Sequence, residues 1–367
     1  MTTQEWRHEG FLPYGMPGGY CSQPVASGDT LILSPNLGPT VNSSDSEYNA
    51  SISGDDGLEL YFGSDRPGGH GKVDTYVTRR ATRTDPWGPP TNLGPKVNRS
   101  SDNAIPSVSP DGLELYFMSN HPASGFGSTS LFDLFASKRA SANDPWGEPV
   151  NLGPSVNSDA IDQGPCLSAD ELTLVFSSNR DGGQGRTDLW MCRRASPGEP
   201  FAAPVNLGPT VNFTTADDRP CLSADGLMLI FESIGPRPGG MGHGDLWSCS
   251  RASPSESFGE PSNMGAPLNS GAIEGDPALS ADGLTLVFRR RGRGYGPDLW
   301  MNTRRSVNEF FDVPFDLGPT INTDYYEGGP ALSSDGTMLL FGSGRPGGVG
   351  RHDLWMAKTK NEKDRHH

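Results

Sequence analysis

The stretch Asp162–Arg194, DQGPCLSADELTLVFSSNRDGGQGRTDLWMCRR, decides the fold, because a version of it recurs six times along the chain. Two independent marks count the copies. The first is a tight turn of the type SxDG, which ends at Gly57, Gly112, Glu171, Gly226, Gly283 and Gly336. The second is the connector LGPxVN, which recurs at spacings of 53 to 59 residues and ends at Asn42, Asn98, Asn157, Asn212, Asn269 and Asn322. Self-similarity at such a period indicates a repeat architecture.

Each copy divides into four short β segments. In the third copy, Pro165–Ser168 and Leu172–Ser178 have strand length and β-branched or aromatic residues, and a tight turn separates them. Asp188–Arg193 follows a Gly-rich loop, and Ala203–Leu207 precedes a Gly-Pro pair that ends the copy. No stretch has helical periodicity over three turns. The pattern predicts an all-β fold, a six-bladed β-propeller of four-stranded antiparallel blades.

The two ends of the chain predict how the ring closes. The sixth copy ends after its third strand, Asp353–Thr359, while the segment SPNLGP near the start aligns with the fourth-strand segments EPVNLGP and APVNLGP. We therefore expect Leu31–Leu37 to pair with Leu354–Lys358, which removes both exposed edges of the ring. The predicted domains are an N-terminal arm or cap at 1–28, one propeller at 29–360 and a solvated tail at 361–367.

The segments SADGLTLVF and SNRDGGQGRTDLW resemble the bacterial WD-like propeller repeats of the TolB type. The resemblance covers roughly residues 30 to 360. Such repeats occur in periplasmic Tol-Pal components, envelope-associated lipoproteins, sensor-like extensions of bacterial protein kinases, and some carbohydrate-active enzymes and peptidases. The resemblance implies the fold and a periplasmic or envelope-associated location, and it does not select one function.

Charge and hydropathy exclude several classes of partner. The net charge is −15, from 29 basic and 44 acidic side chains, so the field of the molecule repels phosphate backbones and anionic lipid. We expect no nucleic-acid partner. No run of eighteen apolar residues occurs, so no membrane span is predicted, and the first twenty residues lack the pattern of a secretory signal. We expect a monomer.

Cofactor and metal motifs are not expected in this chain. The five cysteines have no zinc spacing, and four of them replace small residues of sister copies, which favours buried thiols that fill apolar space. The Gly-rich loops, such as Arg66–Asp74, join strand to strand and open no helix that could receive a phosphate. The prediction is no cofactor and no metal.

Charged residues recur where each blade meets the channel mouth. A residue near the start of the first strand is a carboxylate in five of six copies, at Glu47, Asn103, Asp162, Asp217, Glu274 and Glu327. The opposing loops begin with Arg66, His121, Arg180, Arg237, Arg291 and Arg345. We interpret these two sets as a circumferential ring of ion pairs that neutralises itself between blades. His121 departs from the repeated arginine.

Departures from the repeat supply the candidate site. Just before the first-strand proline, the copies carry Asn49, Ile105, Gly164, Arg219, Asp276 and Gly329. In the second strand, copies four and five carry charges where sister copies have small residues, and copy six adds a Tyr-Tyr pair. The ligand-binding candidates are therefore Arg219, Glu232, Asp276, Arg289, Arg290, Tyr325, Glu327 and His121. The alternative is mutual pairing, of Arg219 with Asp276 and of Glu232 with Arg289, which would make this sector structural.

Two functions from different classes follow. Arginine, carboxylate and tyrosine together suit sugars or anions, so we expect a non-enzymatic binding or scaffolding propeller that presents its channel mouth to a glycan, peptide or envelope partner. The alternative is a glycoside hydrolase or polysaccharide lyase. It would use Asp276 and Glu232 as acid and base, or Tyr325 with Arg290 for proton abstraction. No catalytic residue is assigned.

Overall fold

The computed structural model describes residues 31–33, 36–53, 57–99, 101–121, 131–291 and 296–359. These residues form six antiparallel sheets of four strands each, which confirms the predicted six-bladed propeller. The predicted arm at 1–28 and tail at 361–367 lie outside the described residues. Within those residues, no helix is long and apolar enough to cross a membrane.

The blades follow one another along the chain. Blade one holds β2 to β5, blade two β6 to β9, blade three β10 to β13, blade four β14 to β17, blade five β18 to β21, and blade six β22 to β24 with β1. The strands are β1 Leu31–Leu33, β2 Glu47–Ile52, β3 Glu59–Ser64, β4 Asp74–Arg79, β5 Thr91–Asn92, β6 Asn103–Val108, β7 Glu114–Ser119, β8 Asp133–Lys138, β9 Val150–Asn151, β10 Asp162–Leu167, β11 Thr173–Ser178, β12 Asp188–Arg193, β13 Val205–Asn206, β14 Ala216–Leu222, β15 Met228–Ile234, β16 Gly244–Ser250, β17 Ser262–Asn263, β18 Glu274–Leu279, β19 Thr285–Arg291, β20 Pro297–Thr303, β21 Phe315–Asp316, β22 Glu327–Leu332, β23 Met338–Ser343 and β24 Asp353–Thr359. Three connectors contain a single helical turn, at α1 Gly38–Val41, α2 Gly94–Val97 and α3 Gly208–Val211.

The hydrophobic core lies between neighbouring blades. Every residue of β11 is buried, because both faces of a second strand pack against another blade. Between blades two and three, Phe176 and Trp190 pack with Leu134 and Phe201. Burial of one such aromatic side chain stabilises the fold by about 1.5–3 kcal/mol. The blades therefore depend on one another for their stability.

The repeated aspartates serve the backbone. In the turn of blade two, Asp111 Oδ1 accepts hydrogen bonds from Ser109 Oγ at 2.6 Å and from the Leu113 amide at 2.8 Å. Asp74, at the start of β4, accepts bonds from the amides of His70 at 2.6 Å and Gly71 at 2.8 Å, which fixes the Gly-rich loop. The same turn contact recurs at Asp170, Asp225, Asp282 and Asp335, and the same loop contact recurs at Asp188, Asp245 and Asp353. Such repetition indicates a structural role for these aspartates.

The ring closes by pairing the two ends of the described chain. β1 runs antiparallel to β24, with Leu31 opposite Thr359 and Leu33 opposite Ala357. Asn36 Nδ2 donates to Asp353 Oδ2 at 2.6 Å, and Asn92, Asn151 and Asn206 make the same contact within blades one, two and three. At the other end of the expected segment Leu31–Leu37, the Leu37 amide donates to the Leu354 carbonyl at 3.2 Å, so both described ends of this segment meet the partner strand that the sequence predicts.

Antiparallel strands give the ring two distinct faces. The connectors and the loops between second and third strands share one face, called here the connector face, where Ser46 bridges to His352 of the preceding blade. The turns between first and second strands, and the loops between third and fourth strands, lie on the opposite turn face. Candidate residues can therefore be placed by their position along a strand.

Candidate functional site

The central channel is lined by one repeated bulge. Each first strand changes register at the same point, as between Tyr48 and Ser51 in blade one. The bulged residue has a positive φ, between 49° and 61°, in every blade, at Asn49, Ile105, Gly164, Arg219, Asp276 and Gly329. These residues and the residue after each enclose a cavity of about 160 Å³. Since bulges re-aim side chains, the predicted positions do reach the channel.

The charged side chains of blades four and five form a chain of contacts. Arg219 Nε lies 3.3 Å from Asp276 Oδ1, and Asp276 Oδ2 lies 2.9 Å from Arg289 Nε. Arg289 Nη2 in turn lies 3.2 Å from Glu232 Oε2. The two ion pairs that the sequence analysis gave as the structural alternative, Arg219–Asp276 and Glu232–Arg289, are therefore both present. The contact between Asp276 and Arg289 links them. The two carboxylates share one guanidinium.

Glu232 is the buried end of this chain of contacts. The residue is 1% exposed and lies beside Gly275, where an added Cβ would be 2.1 Å from Glu232 Oε2. Burial raises the pKa of Glu232, Arg289 opposes that rise, and Asp276 adds to it. Because it is enclosed, Glu232 cannot contact a ligand in the channel. It holds Arg289 in position.

Tyr326, which was not a named candidate, faces the same cluster. Burial raises the pKa of its phenol, and the charge of Asp276 raises it further. An added Cβ at Gly328 would lie 2.3 Å from Tyr326 Oη, so this glycine makes room for the phenol. Tyr326 is 39% exposed. The neighbouring Tyr325 is exposed, and its amide donates to Thr323 Oγ1 at 3.2 Å.

Asp218 is a second charged residue that the sequence reasoning missed. Its Oδ2 accepts a hydrogen bond from Gln163 Nε2 of blade three at 3.1 Å, and its Oδ1 accepts the Arg219 amide at 2.8 Å. It stands directly before Arg219, opposite Glu232 in the β14–β15 ladder. The sequence feature that could have identified Asp218 is a charged residue at a first-strand position where blades five and six have glycine.

The predicted ion pairs form in five blades, but each pair lies within one blade and not between blades as the sequence interpretation had it. The pairs are Arg66–Glu47, Arg180–Asp162, Arg237–Asp217, Arg290–Glu274 and Arg345–Glu327. The sequence interpretation named Arg291 for blade five, and this was wrong. Arg290 Nε lies 2.8 Å from Glu274, and its guanidinium stacks 4.0 Å from the Trp300 ring.

Three of the predicted ligand-binding candidates, Arg290, Glu327 and His121, belong to this set of repeated strand-end positions and not to the group of charged residues around Arg219 and Asp276. Arg290 and Glu327 serve the ring of pairs just described. His121 of blade two takes the arginine position, with Nε2 3.4 Å from Arg99 Nη1 and its ring edge-on to Phe135. Burial lowers the pKa of His121, and the charge of Arg99 lowers it further. The channel cluster itself consists of Arg219, Glu232, Asp276, Arg289, Tyr326 and Asp218.

The thiols offer no reactive centre among the described residues. Cys192 and Cys249 are buried, and burial raises the pKa of each to about 12. Burial also raises the pKa of Cys166 to about 11 and that of Cys221 to about 12. Such groups stay protonated and unreactive near neutral pH. Over the same part of the chain, no three His, Cys, Asp or Glu side chains gather in a way that could hold a metal ion.

No protein-family model and no curated protein sequence matches this chain. Solved structures do resemble it. TolB from Acinetobacter baumannii has a TM-score of 0.53 at 12% identity, over 84% of this chain and 65% of that one. A protein of unknown function from Dyadobacter fermentans has a TM-score of 0.55 at 11% identity, over 90% of this chain and 98% of that one. The sialidase of Trypanosoma rangeli in complex with sialic acid has a TM-score of 0.53 at 12% identity, over 91% of this chain and 59% of that one.

The chain thus spans about two thirds of the length of the Acinetobacter TolB and about three fifths of that of the sialidase. At such low identity the likeness is one of fold, and one fold carries many functions. The neighbours include TolB proteins and a glycosidase on the same propeller architecture.

Proposed function

We propose that this chain is a binding propeller whose channel receives the acidic terminal sugar of a glycan without turning it over. The observation that carries the proposal is the state of Arg219. Its side chain is 41% exposed at the channel, and its Nε has only the 3.3 Å contact to Asp276. Among the described residues, neither terminal nitrogen of Arg219 has a hydrogen-bond partner. The guanidinium is thus available to a ligand.

The surrounding groups define the ligand chemistry. A guanidinium binds a carboxylate through two parallel hydrogen bonds, which fixes the orientation of the anion. Asp276 lines the channel and can accept hydrogen bonds from sugar hydroxyls, and the Tyr326 phenol, close enough for Asp276 to raise its pKa, can donate to them or accept from them. An acidic sugar carries both a carboxylate and hydroxyls, so it matches this mixed set.

The size of the channel favours an end group over an internal segment. Its volume of about 160 Å³ is below the roughly 300–1,000 Å³ of pockets that enclose drug-sized ligands. One terminal unit can enter while the rest of the glycan stays outside. The Trypanosoma rangeli neighbour binds sialic acid, an acidic sugar, on the same fold, which supports the choice of probe.

A glycosidase is the second candidate. The raised pKa of Glu232 next to the carboxylate of Asp276 favours it, because an acid and a base with separated pKa values characterise such sites. Against it, Glu232 is buried and both carboxylates bind Arg289. Release of free sugar from a bound glycan, measured over many protein equivalents, would select the enzyme.

The binding proposal is tested by replacing Arg219 with glycine, the residue that blades three and six have at this position. A glycan array first identifies acidic ligands, and titration then compares the parent with Arg219→Gly. Glycine fits the φ of 55° at this position and leaves Asp276 paired with Arg289. We expect about 10- to 100-fold weaker binding, because a charge-assisted hydrogen bond contributes about 1.5–3 kcal/mol, with an unchanged melting temperature.

The matched control is Asn49→Gly, at the equivalent bulge of blade one, where φ is 54°. It has the same effect on the backbone and removes no charge, so it should bind like the parent. Equal affinity of Arg219→Gly and the parent for acidic glycans would contradict the proposal, as would an equal loss in Asn49→Gly.

A further inference from the structure

The turn face repeats a three-membered ionic contact at two blade interfaces. β3 and β7 each begin with a glutamate. Glu59 binds Arg79 of its own blade at 2.7 Å and Arg139 of the next blade at 2.5 Å. Glu114 likewise binds Lys138 at 2.8 Å and Arg194 at 2.8 Å. Each carboxylate thus sits between one cation of its own blade and one of the next.

At the interface of blades three and four, both cations are present and the carboxylate is missing. β11 begins with Thr173, whose cross-strand partner is Arg193, as Arg79 is the partner of Glu59. Arg251 of blade four takes the place of Arg139. Its Nε donates to the Gly226 carbonyl at 2.7 Å, as the Nε of Arg139 donates to the carbonyl of Gly112 at 2.7 Å. Two arginines therefore surround a threonine.

Two buried polar atoms at this point lack a partner among the described residues. They are Nη2 of Arg251, a residue 5% exposed, and Oγ1 of Thr173, a residue 1% exposed. Arg251 Nη1 has only the sulfur of Met191, at 3.6 Å, and a thioether is a weak acceptor. A buried donor without an acceptor is destabilising, so the site is suited to an added acceptor.

The charges agree with this geometry. Burial lowers the pKa of Arg251, and the nearby charge of Arg193 lowers it further. Burial also disfavours the charge of Arg139, but its bond to Glu59 outweighs burial and raises the pKa. The carboxylate that acts favourably on Arg251 is Asp170, and Oδ1 of Asp170 already accepts bonds from Ser168 and Leu172. The positive charge of Arg251 is therefore poorly compensated.

Two further interfaces, that of blades four and five and that of blades six and one, do not share this arrangement. Met228 begins β15, and its cross-strand partner is Ser250, so the cation of the same blade is missing. Met338 begins β23, and its sulfur lies 3.5 Å from Arg80 Nη2. A methionine side chain fills these two positions with apolar atoms. Thr173 is smaller and polar.

We propose that a small carboxylate anion binds on the turn face between Thr173, Arg193 and Arg251, in the place that the Glu59 and Glu114 carboxylates occupy at the two preceding interfaces. The Thr173 hydroxyl and Arg251 Nη2 donate to its oxygens, and Arg193 supplies the second charge. Arg193 is half-buried, so it marks the side from which the anion enters. The site is separate from the channel.

The test uses acetate as the probe and the full chain in an Arg219→Gly background, so that the channel arginine does not contribute. Melting temperatures are compared in sodium acetate and sodium chloride of equal ionic strength at pH 7.5. We expect a saturable rise of about 2 °C in acetate at ten times the Kd. A third series in inorganic phosphate shows whether the site is specific for carboxylates. If it is, phosphate should raise the melting temperature by less than half as much as acetate does.

Two substitutions make the test specific. Thr173→Glu supplies the missing carboxylate, so it should raise the melting temperature in chloride and abolish the response to acetate. Glu114→Thr empties the equivalent place at blades two and three, so it should lower the melting temperature in chloride and increase the acetate response. The proposal is overturned if acetate acts no differently from chloride, or if Thr173→Glu keeps the full acetate response. Should Thr173→Glu not fold, an unchanged acetate response in Glu114→Thr overturns the proposal equally.

Discussion

Arg289 of blade five binds Glu232 of blade four, with Arg289 Nη2 3.2 Å from Glu232 Oε2 at the wall of the channel. The contact crosses a blade interface that other blades build from small residues, such as Ser177 in blade three and Gly342 in blade six. Gly275 leaves the space that the glutamate enters. Glu232, Arg289 and Gly275 therefore act together at this interface, where a buried ion pair takes the place of small neutral side chains.

The first prediction concerns the free energy of unfolding of this pair. Arg289→Gly, which copies blade six, removes the only ion-pair partner that the described residues give the buried Glu232 carboxylate and should cost about 3–5 kcal/mol at pH 8. Glu232→Ser, which copies blade three, leaves Arg289 paired with Asp276 and should cost about 1 kcal/mol. The double variant should be more stable than Arg289→Gly alone. Urea unfolding measures all four proteins, and strictly additive effects would show that the two side chains are not coupled.

The second prediction is a stability profile against pH. The pKa of Glu232 is raised in the folded chain above its ordinary value near 4.5, to about 7. Between these two values the folded chain holds more protons on this group than the unfolded chain. The stability that Glu232 contributes is therefore complete below about pH 4.5 and is lost as the pH rises through about 7, by roughly 3 kcal/mol.

The comparison of the parent with Glu232→Gln isolates this group, because a glutamine side chain does not titrate. The variant should have a flatter profile over the same window. Glu171 also has a pKa raised to about 7, by burial first and then by Asp111, and its contribution stays in both proteins. Parallel profiles of the two proteins between pH 4.5 and 8 would mean that Glu232 titrates like an exposed carboxyl.

The sequence predicts the fold well because its determinants are local and repeated. The turn that ends at Gly112 and the strand Thr173–Ser178 each specify their own conformation, and six copies at one period define the ring. The pairing of Arg219 with Asp276 was also foreseen as an alternative, since both stand at the same position of adjacent copies.

The remaining errors concern side chains whose position depends on the three-dimensional register. In blade one, Arg66 follows the Glu47 partner Ser64 by two residues, whereas in blade five Arg290 itself stands opposite Glu274. Because the repeat copies are aligned by their loops, the sequence predicts Arg291 and not Arg290 as the arginine of the blade-five ion pair. The sequence also offers no means of separating Tyr325 from its neighbour Tyr326, whose phenol interacts with Asp276 in the structure.

The last prediction tests how the ring closes. β1 supplies the fourth strand of blade six, and Asn36 and Asn42 bind Asp353 and the Leu354 backbone. Deletion of residues 1–38 removes β1 and Asn36, which exposes the edge of β24 and opens the ring. Because each blade is stable only against its neighbours, we expect the single cooperative thermal transition to be lost. Differential scanning calorimetry measures this transition. The control is a variant that lacks residues 361–367, which follow β24, and this variant should melt like the parent. A truncation at 38 that still melts cooperatively near the parent midpoint would show that the other blades hold the ring closed without the N-terminal strand.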